Sequence, residues 1–141
     1  MSISETLQAF LRARLIETAA VAELVAGEMT ELVAGKVVDD PKKPVSHPYI
    51  SFGPSDVTPE DADCLDGRVE TQQIDVWSDA PDGKAEAKRI CDAVRKALHG
   101  YSGAMSQGAL VEASVTLVRV IADPQEGITH GILTVECLIE E

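Results

Sequence analysis

Cys64, Cys91 and Cys137, His47, His99 and His130, and the acids Asp56, Glu60, Asp61, Asp63 and Asp66 are the residues of this chain whose types could do chemistry. A thiol nucleophile needs a base within hydrogen-bond reach and a third group that orients the base. Cys91 falls on the apolar stripe of a helical pattern and Cys137 on the inward face of a strand pattern, so both read as small buried hydrophobes. Cys64 lies among carboxylates, which raise a thiol pKa and disfavour the reactive thiolate. The histidines sit beside a proline, at a helix end and at a strand start, with no H-E-x-x-H pattern and no pair at metal-ligand spacing. His99 is at home near a helix C-terminus through the macrodipole alone. Asp61, Asp63, Asp66 and Gly67 faintly echo a calcium loop but lack the spacing to a bidentate glutamate. The phosphate-binding patterns G-x-x-x-x-G-K-[ST] and G-x-G-x-x-G are absent. No catalytic, metal-binding or cofactor-binding residue is expected.

The elements that would position these residues follow from periodicity. Residues 2–25 read as helix: Ser2 and Glu5 have capping-box spacing, and Leu7, Leu11, Leu15, Ala19 and Ala22 form one stripe, with a further turn or two to residue 32, broken near Gly27. Residues 36–39 suggest a short strand. Pro41, Pro44 and Pro48 mark an exposed loop, and residues 49–53 a strand. Residues 54–66 hold five acids and two prolines and read either as a long, functional or mobile connection or as a solvated hairpin tip. Residues 67–78 form a strand, with Gln72, Ile74 and Val76 on one face and Thr71, Gln73, Asp75 and Trp77 on the other. Residues 84–98 form a helix with Ala87, Ile90, Cys91, Val94, Ala97 and Leu98 as its stripe. Residues 109–122 form a long strand, with Val111, Ala113, Val115 and Leu117 on one face. After a short loop, residues 128–140 return with Leu133, Val135, Cys137 and Ile139 inward. The pattern predicts an α+β fold of two layers: a mostly antiparallel sheet with two main helices on one face, in one domain over residues 1–141.

Charge narrows the function. The 24 acids against 12 bases give a net charge of −12, which argues against gripping phosphates or an anionic membrane. The odd cysteine count without a C-x-x-C pair fits free thiols in a reducing compartment. The N-terminus shows no signal pattern and no apolar run spans a bilayer, so a chain that starts in a cytoplasm is expected. What remains unassigned is apolar surface. The strand ending at Trp77 and the run Val118, Val120 and Ile121 are apolar on both faces, whereas a two-layer domain buries one side of each strand, so either a partner surface or a helix or the acidic loop of the same chain covers the rest. Trp77, the one tryptophan, suits an interface anchor.

The order of signals resembles a known family. An N-terminal leucine helix leads to a short strand and a proline-rich loop giving His47, Pro48, Tyr49 and Ile50. A long loop follows, then a strand closing on Val76, Trp77 and Ser78, and directly afterwards an alanine-rich helix ending Ala97 and Leu98. The final strand opens Thr129, His130, Gly131, Ile132 and Leu133. Over nearly its full length the chain is similar to the tail terminator, or tail completion, proteins of long-tailed phages and gene transfer agents. It departs from their pattern at Val38 and Asp39, where an aromatic residue is expected.

The resemblance implies a structural, non-enzymatic protein that assembles as a hexameric ring. Such a ring caps the tail tube, stops its polymerisation and joins it to the head's neck. The implied partners are further copies of the chain, a tail tube protein and a head-completion or neck protein, with DNA passing through the lumen unbound and no membrane involved. Asp56, Glu60, Asp61, Asp63, Leu65, Arg68 and Trp77 are the residues expected at the subunit or tail-tube interface. Particle location follows: host cytoplasm first, then neck or tail. The competing readings are another head-tail joining protein, such as a head-closure or minor tail protein, and an acidic cytoplasmic binding domain.

Overall fold

A computed structural model of the chain describes residues 2–27, 31–40, 44–62 and 65–141, with the backbone alone at 31–33, 59–62 and 65–66. Helix α1 (Ile3–Glu17) starts at the expected capping box: Ser2 Oγ accepts the Glu5 N–H at 3.1 Å, and Glu5 Oε2 accepts the Ser2 N–H. These bonds hold the Glu5 carboxyl below its ordinary pKa. The helix does not run on to residue 25. Thr18 adopts an extended backbone (φ −84°, ψ 112°), and its hydroxyl donates to the Arg14 carbonyl at 2.6 Å. That side-chain bond competes with the helical ladder. The Thr18 carbonyl then accepts from Val21 and Ala22 and starts α2 (Ala19–Ala26), which ends at left-handed Gly27 (φ 78°). The break turns the apolar face, so Ala19 is exposed and Val21, Ala22 and Val25 are buried in its place.

A 3-10 turn (Glu31–Lys36) precedes β1, which is Val37–Val38 and not the whole of 36–39. Strand β2 is Tyr49–Ala62 and β3 is Leu65–Ser78, paired antiparallel down to Ala62 and Leu65. The acidic stretch 54–66 is therefore no connection: its described part is the far half of a hairpin, with a bulge between Phe52 and Ser55. Proline and charge signal a loop in sequence, yet both are also how an exposed edge strand is built. Helix α3 (Gly83–Leu98) buries the whole predicted stripe. A two-residue strand, β4 (Gly103–Ala104), was not legible. Strand β5 (Ala109–Ala122) and β6 (Thr129–Glu140) complete the sheet.

The sheet order is β1-β2-β3-β6-β5-β4, antiparallel throughout except the β1–β2 pair. The fold is the expected α+β, with three α-helices in place of two because of the Thr18 break. One core cluster joins Leu7, Leu11 and Leu15 of α1, the α3 stripe, and Ile74, Val76, Leu133, Val135 and Ile139 of the sheet. Predicted inward residues Leu133, Val135, Cys137 and Ile139 are all buried. On β5 the simple alternation fails. Bulges between Leu110 and Glu112 and between Val115 and Leu117 put Leu110 and Ala113 in the core and leave Val111 and Leu117 exposed.

Helix α3 packs closely on β6 at Gly131. A Cβ there would lie 2.7 Å from Cys91 Sγ and 3.2 Å from Val76 Cβ. Gly131→Ala is expected to cost about 1–3 kcal/mol in urea unfolding, and adding Cys91→Ala should recover part of that loss; an unchanged midpoint in the single variant would refute the close fit.

Candidate interaction surface

The face of the sheet opposite the helices carries a row of rings built by register. Tyr49, Trp77, His130 and Ile121 stand opposite one another on β2, β3, β6 and β5. Trp77 and His130 stack at 3.9 Å between centroids, Tyr49 and Trp77 at 6.3 Å, and His47 leans on Tyr49 at 5.2 Å. The next row is Ser51, Asp75, Ile132 and Arg119. Trp77 Nε1 donates to Ser51 Oγ at 2.9 Å. Asp75 Oδ1 lies 2.7 Å from His130 Nε2 and accepts from Gln73 Nε2 at 2.8 Å. Asp75 is 6 % exposed, so these partners replace the water it has lost. Burial pushes the Tyr49 hydroxyl above its ordinary pKa, with Asp123 and Asp75 adding to it.

The pair His130 and Asp75 has the look of a base and its orienter, but the chemistry stops there. Ser51, one row away, has its hydroxyl held by Trp77 rather than by His130. The described thiols lie elsewhere: Cys91 and Cys137 are buried on the helix side, and burial pushes both up to about 12. His99 Nδ1 accepts the Val115 N–H at 3.1 Å, fastening the end of α3 to β5. Among the described residues no group of three or more His, Cys, Asp or Glu could hold a metal ion, and no helix is long and apolar enough to cross a membrane.

The sequence-predicted interface residues fall in different places. Asp56 is exposed on the hairpin, opposite Thr71 and hence on the ring-bearing face. Glu60, Asp61 and Leu65 lie on the backbone of the hairpin's far end, and Asp63 lies outside the described residues. Arg68 is on the helix side, opposite Ile139; its Nε is buried without a hydrogen bond, 3.7 Å from the Glu141 carboxylate. Trp77 is part of the ring row and half-buried within the chain itself. The structure thus joins Trp77 to neither Arg68 nor the hairpin end. Tyr49, Ser51, Asp75 and His130 were missed as a group. Strand alternation places Asp75 beside Trp77, but their partners require the cross-strand register.

Exposed apolar side chains concentrate at the two edges. Val57 on β2 is 45 % exposed, and Val111, Leu117 and Val118 on β5 are 46 %, 51 % and 43 % exposed. On the ring-bearing face Leu138 adds to them. Two predictions follow from this geometry. A disulfide thiol reagent should label at most one of the three cysteines in the folded protein and all three in urea; labelling of two or more under native conditions refutes the burial of Cys91 or Cys137. Trp77→Ala should destabilise the chain by roughly 2–3 kcal/mol in urea unfolding. Trp77→Phe, which keeps the stack and loses the Ser51 bond, should cost about 1 kcal/mol, and equal losses would refute the stacking account.

Comparison with known proteins places this surface in context. Residues 9–140 match the sequence profile of a family described as tail completion protein gp17. A chain in the virion of a native gene transfer agent particle is similar at 28 % identity and a TM-score of 0.84, covering 99 % of this chain and 98 % of that one. The bacteriophage SPP1 gp17 protein is similar at 25 % identity and a TM-score of 0.57, covering 95 % of this chain and 88 % of that one. No curated protein matches the sequence.

Proposed function

Since the chain belongs to the tail completion protein gp17 family, whose role is structural, we propose that it is a ring-forming tail terminator. Six copies would close on the head-proximal end of a tail tube, stop its polymerisation and present a surface to the neck proteins of the head. The observation that carries this reading is the likeness to a virion chain over 99 % of the present one, with a TM-score of 0.84. The surface agrees with it. Apolar side chains left exposed on two opposite edges suit repeated head-to-tail association, which closes by rotation. A net charge of −12 suits a ring that lets DNA pass without holding its phosphates. Asp56, Glu60, Asp61, Asp63, Leu65, Arg68 and Trp77 remain the proposed contact residues, with Trp77 also serving the fold. Assembly would take place in the host cytoplasm before the chain joins the particle's neck or tail.

Light scattering after size exclusion, with negative-stain images of the same fractions, should show a closed ring near six copies, in solution or at the ends of added tail tubes. Tubes grown in its presence should stop at capped ends. A chain that neither self-associates nor binds tube ends would overturn the reading. Binding to head-completion protein without any effect on tubes would favour the competing head-closure role.

A further inference from the structure

The two long edges of the sheet are complementary to each other. Among the described residues, β1 covers β2 at Ile50 and Ser51, and residues 53–62 have no strand on their outer side. At the other edge β4 covers β5 at Ala109 and Leu110, and the segment after α3 covers the next stretch. There Gly100 N–H donates to the Ala113 carbonyl, Ala113 N–H to the Tyr101 carbonyl and Val115 N–H to His99 Nδ1. Among the described residues, 117–122 likewise have no strand on their outer side. Unpaired N–H and C=O groups on a long strand are a template for another strand.

Resting on the ring reading, we propose that β5 of one copy pairs with β2 of the next, with Val57 opposite Val118 and Asp56 opposite Arg119. Direction comes first. Three successive antiparallel pairings make β2 and β5 run in opposite senses. Rotation about an axis near the strands keeps those senses, so the joined edges are antiparallel. Backbone groups come second. Pro59 has no N–H and must turn its nitrogen away from β3, so Ser55 and Val57, at the same alternation, also turn their groups outward. On β5, Ala113 and Val115 face outward by their bonds, and past the Thr116 bulge the alternation passes to Val118 and Val120. Val57 against Val118 and Ser55 against Val120 are then hydrogen-bonded pairs.

Side chains come third. Val57 pairs with Glu70 and Val118 with Leu133, so both lie on the helix side, and both are exposed in the single chain. Asp56 and Arg119 both lie on the ring-bearing face, both exposed, with opposite charges. One register therefore matches direction, hydrogen bonding, apolar contact and charge.

The same register sets the geometry of closure. Val118 stands in the row of Leu133, and Val57 in the row of Cys137, four residues further along β6. The neighbour is displaced by about 13 Å along the strands for about 19 Å across the four long strands, at ~3.3 Å per residue and ~4.8 Å per strand. That offset tilts the strands about 35° from the axis, whatever the number of copies, within the roughly 35–45° at which closed sheets stand.

The test is crosslinking. In a Cys64→Ser background, Asp56→Cys and Arg119→Cys would place thiols in a non-hydrogen-bonded pair, where opposed Cα atoms approach to about 4.5 Å, within disulfide reach. Mild oxidation of the doubly substituted chain should give a ladder on a denaturing gel that ends in one closed species. Either substitution alone should give no ladder, and a mixture of the two single variants should stop at the dimer. Independently, Arg119→Asp should lose the ring peak in light scattering, and combining it with Asp56→Arg should restore it. Rings in negative stain without crosslinks would overturn the pairing and leave the ring reading standing. Neither crosslinks nor rings, in solution or on tube ends, would overturn both.

Discussion

The structure turns on a mismatch of lengths. Strands β2, β3 and β5 each have 14 residues, about 46 Å at the rise of a strand. Helix α3, the longest, has 16 residues, about 24 Å. Among the described residues no helix can shelter β2, β3 or β5 from end to end. The helices cover the middle of one face, where Ile74, Leu133, Val135 and Ile90 are sealed. Beyond that cover lie the hairpin end on one side and the last residues of β5 on the other, together with the whole opposite face. Exposed Val57 and Val118 are direct consequences: both point to the helix side but lie outside the area that a helix reaches.

How much of this is legible in the sequence depends on whether an element is specified by its own pattern or by its neighbours. Helix α3 has a stripe repeated over four turns, and every stripe residue is buried. Strand β6 alternates without interruption, and its inward set is correct to the residue. Helix α1 declares its start through Ser2 and Glu5, but its end depends on one threonine hydroxyl, which no periodicity reveals. The acidic segment misleads because loops and exposed edge strands draw on the same residues. Among the described residues no strand lies outside residues 54–62, and a proline on such an edge costs no ladder donor. On β5 two bulges reset the alternation, so Leu117 points away from the face that its spacing from Val115 suggests. Among the proposed contact residues, Asp56 lies on an exposed edge, while Trp77 has cross-strand partners that only register can supply.

A sheet with two long free edges is an aggregation hazard unless pairing is made selective. This chain carries the ordinary remedy in its composition. Exposed Asp56 puts a carboxylate on the β2 edge, so two copies of that edge repel each other. The β5 edge carries Arg119 among apolar residues, so it offers one cation to an acidic partner. Like edges are disfavoured and unlike edges are matched, which is the charge pattern that head-to-tail association requires.

The opposite face follows a different logic. Leucines in place of Tyr49, Ser51, Asp75, Trp77 and His130 would leave a large apolar surface in water. Rings with polar tips avoid that, since they stack on one another and Trp77 and His130 each also bring a ring nitrogen to a neighbouring side chain. Trp77 Nε1 reaches Ser51, and His130 and Gln73 converge on Asp75. Every ring is thereby fixed in orientation by a hydrogen bond or a stacking partner. The cost is a nearly buried carboxylate whose partners must all be present. Losing His130 would leave Asp75 short of one of them, and a buried acid deprived of a partner destabilises far more than a well-packed apolar group would. The face is therefore soluble when bare yet stiff enough to hold β2, β3 and β6 in a single register, and it is that register that sets Asp56 and Arg119 at the heights along their edges from which a neighbour can be met.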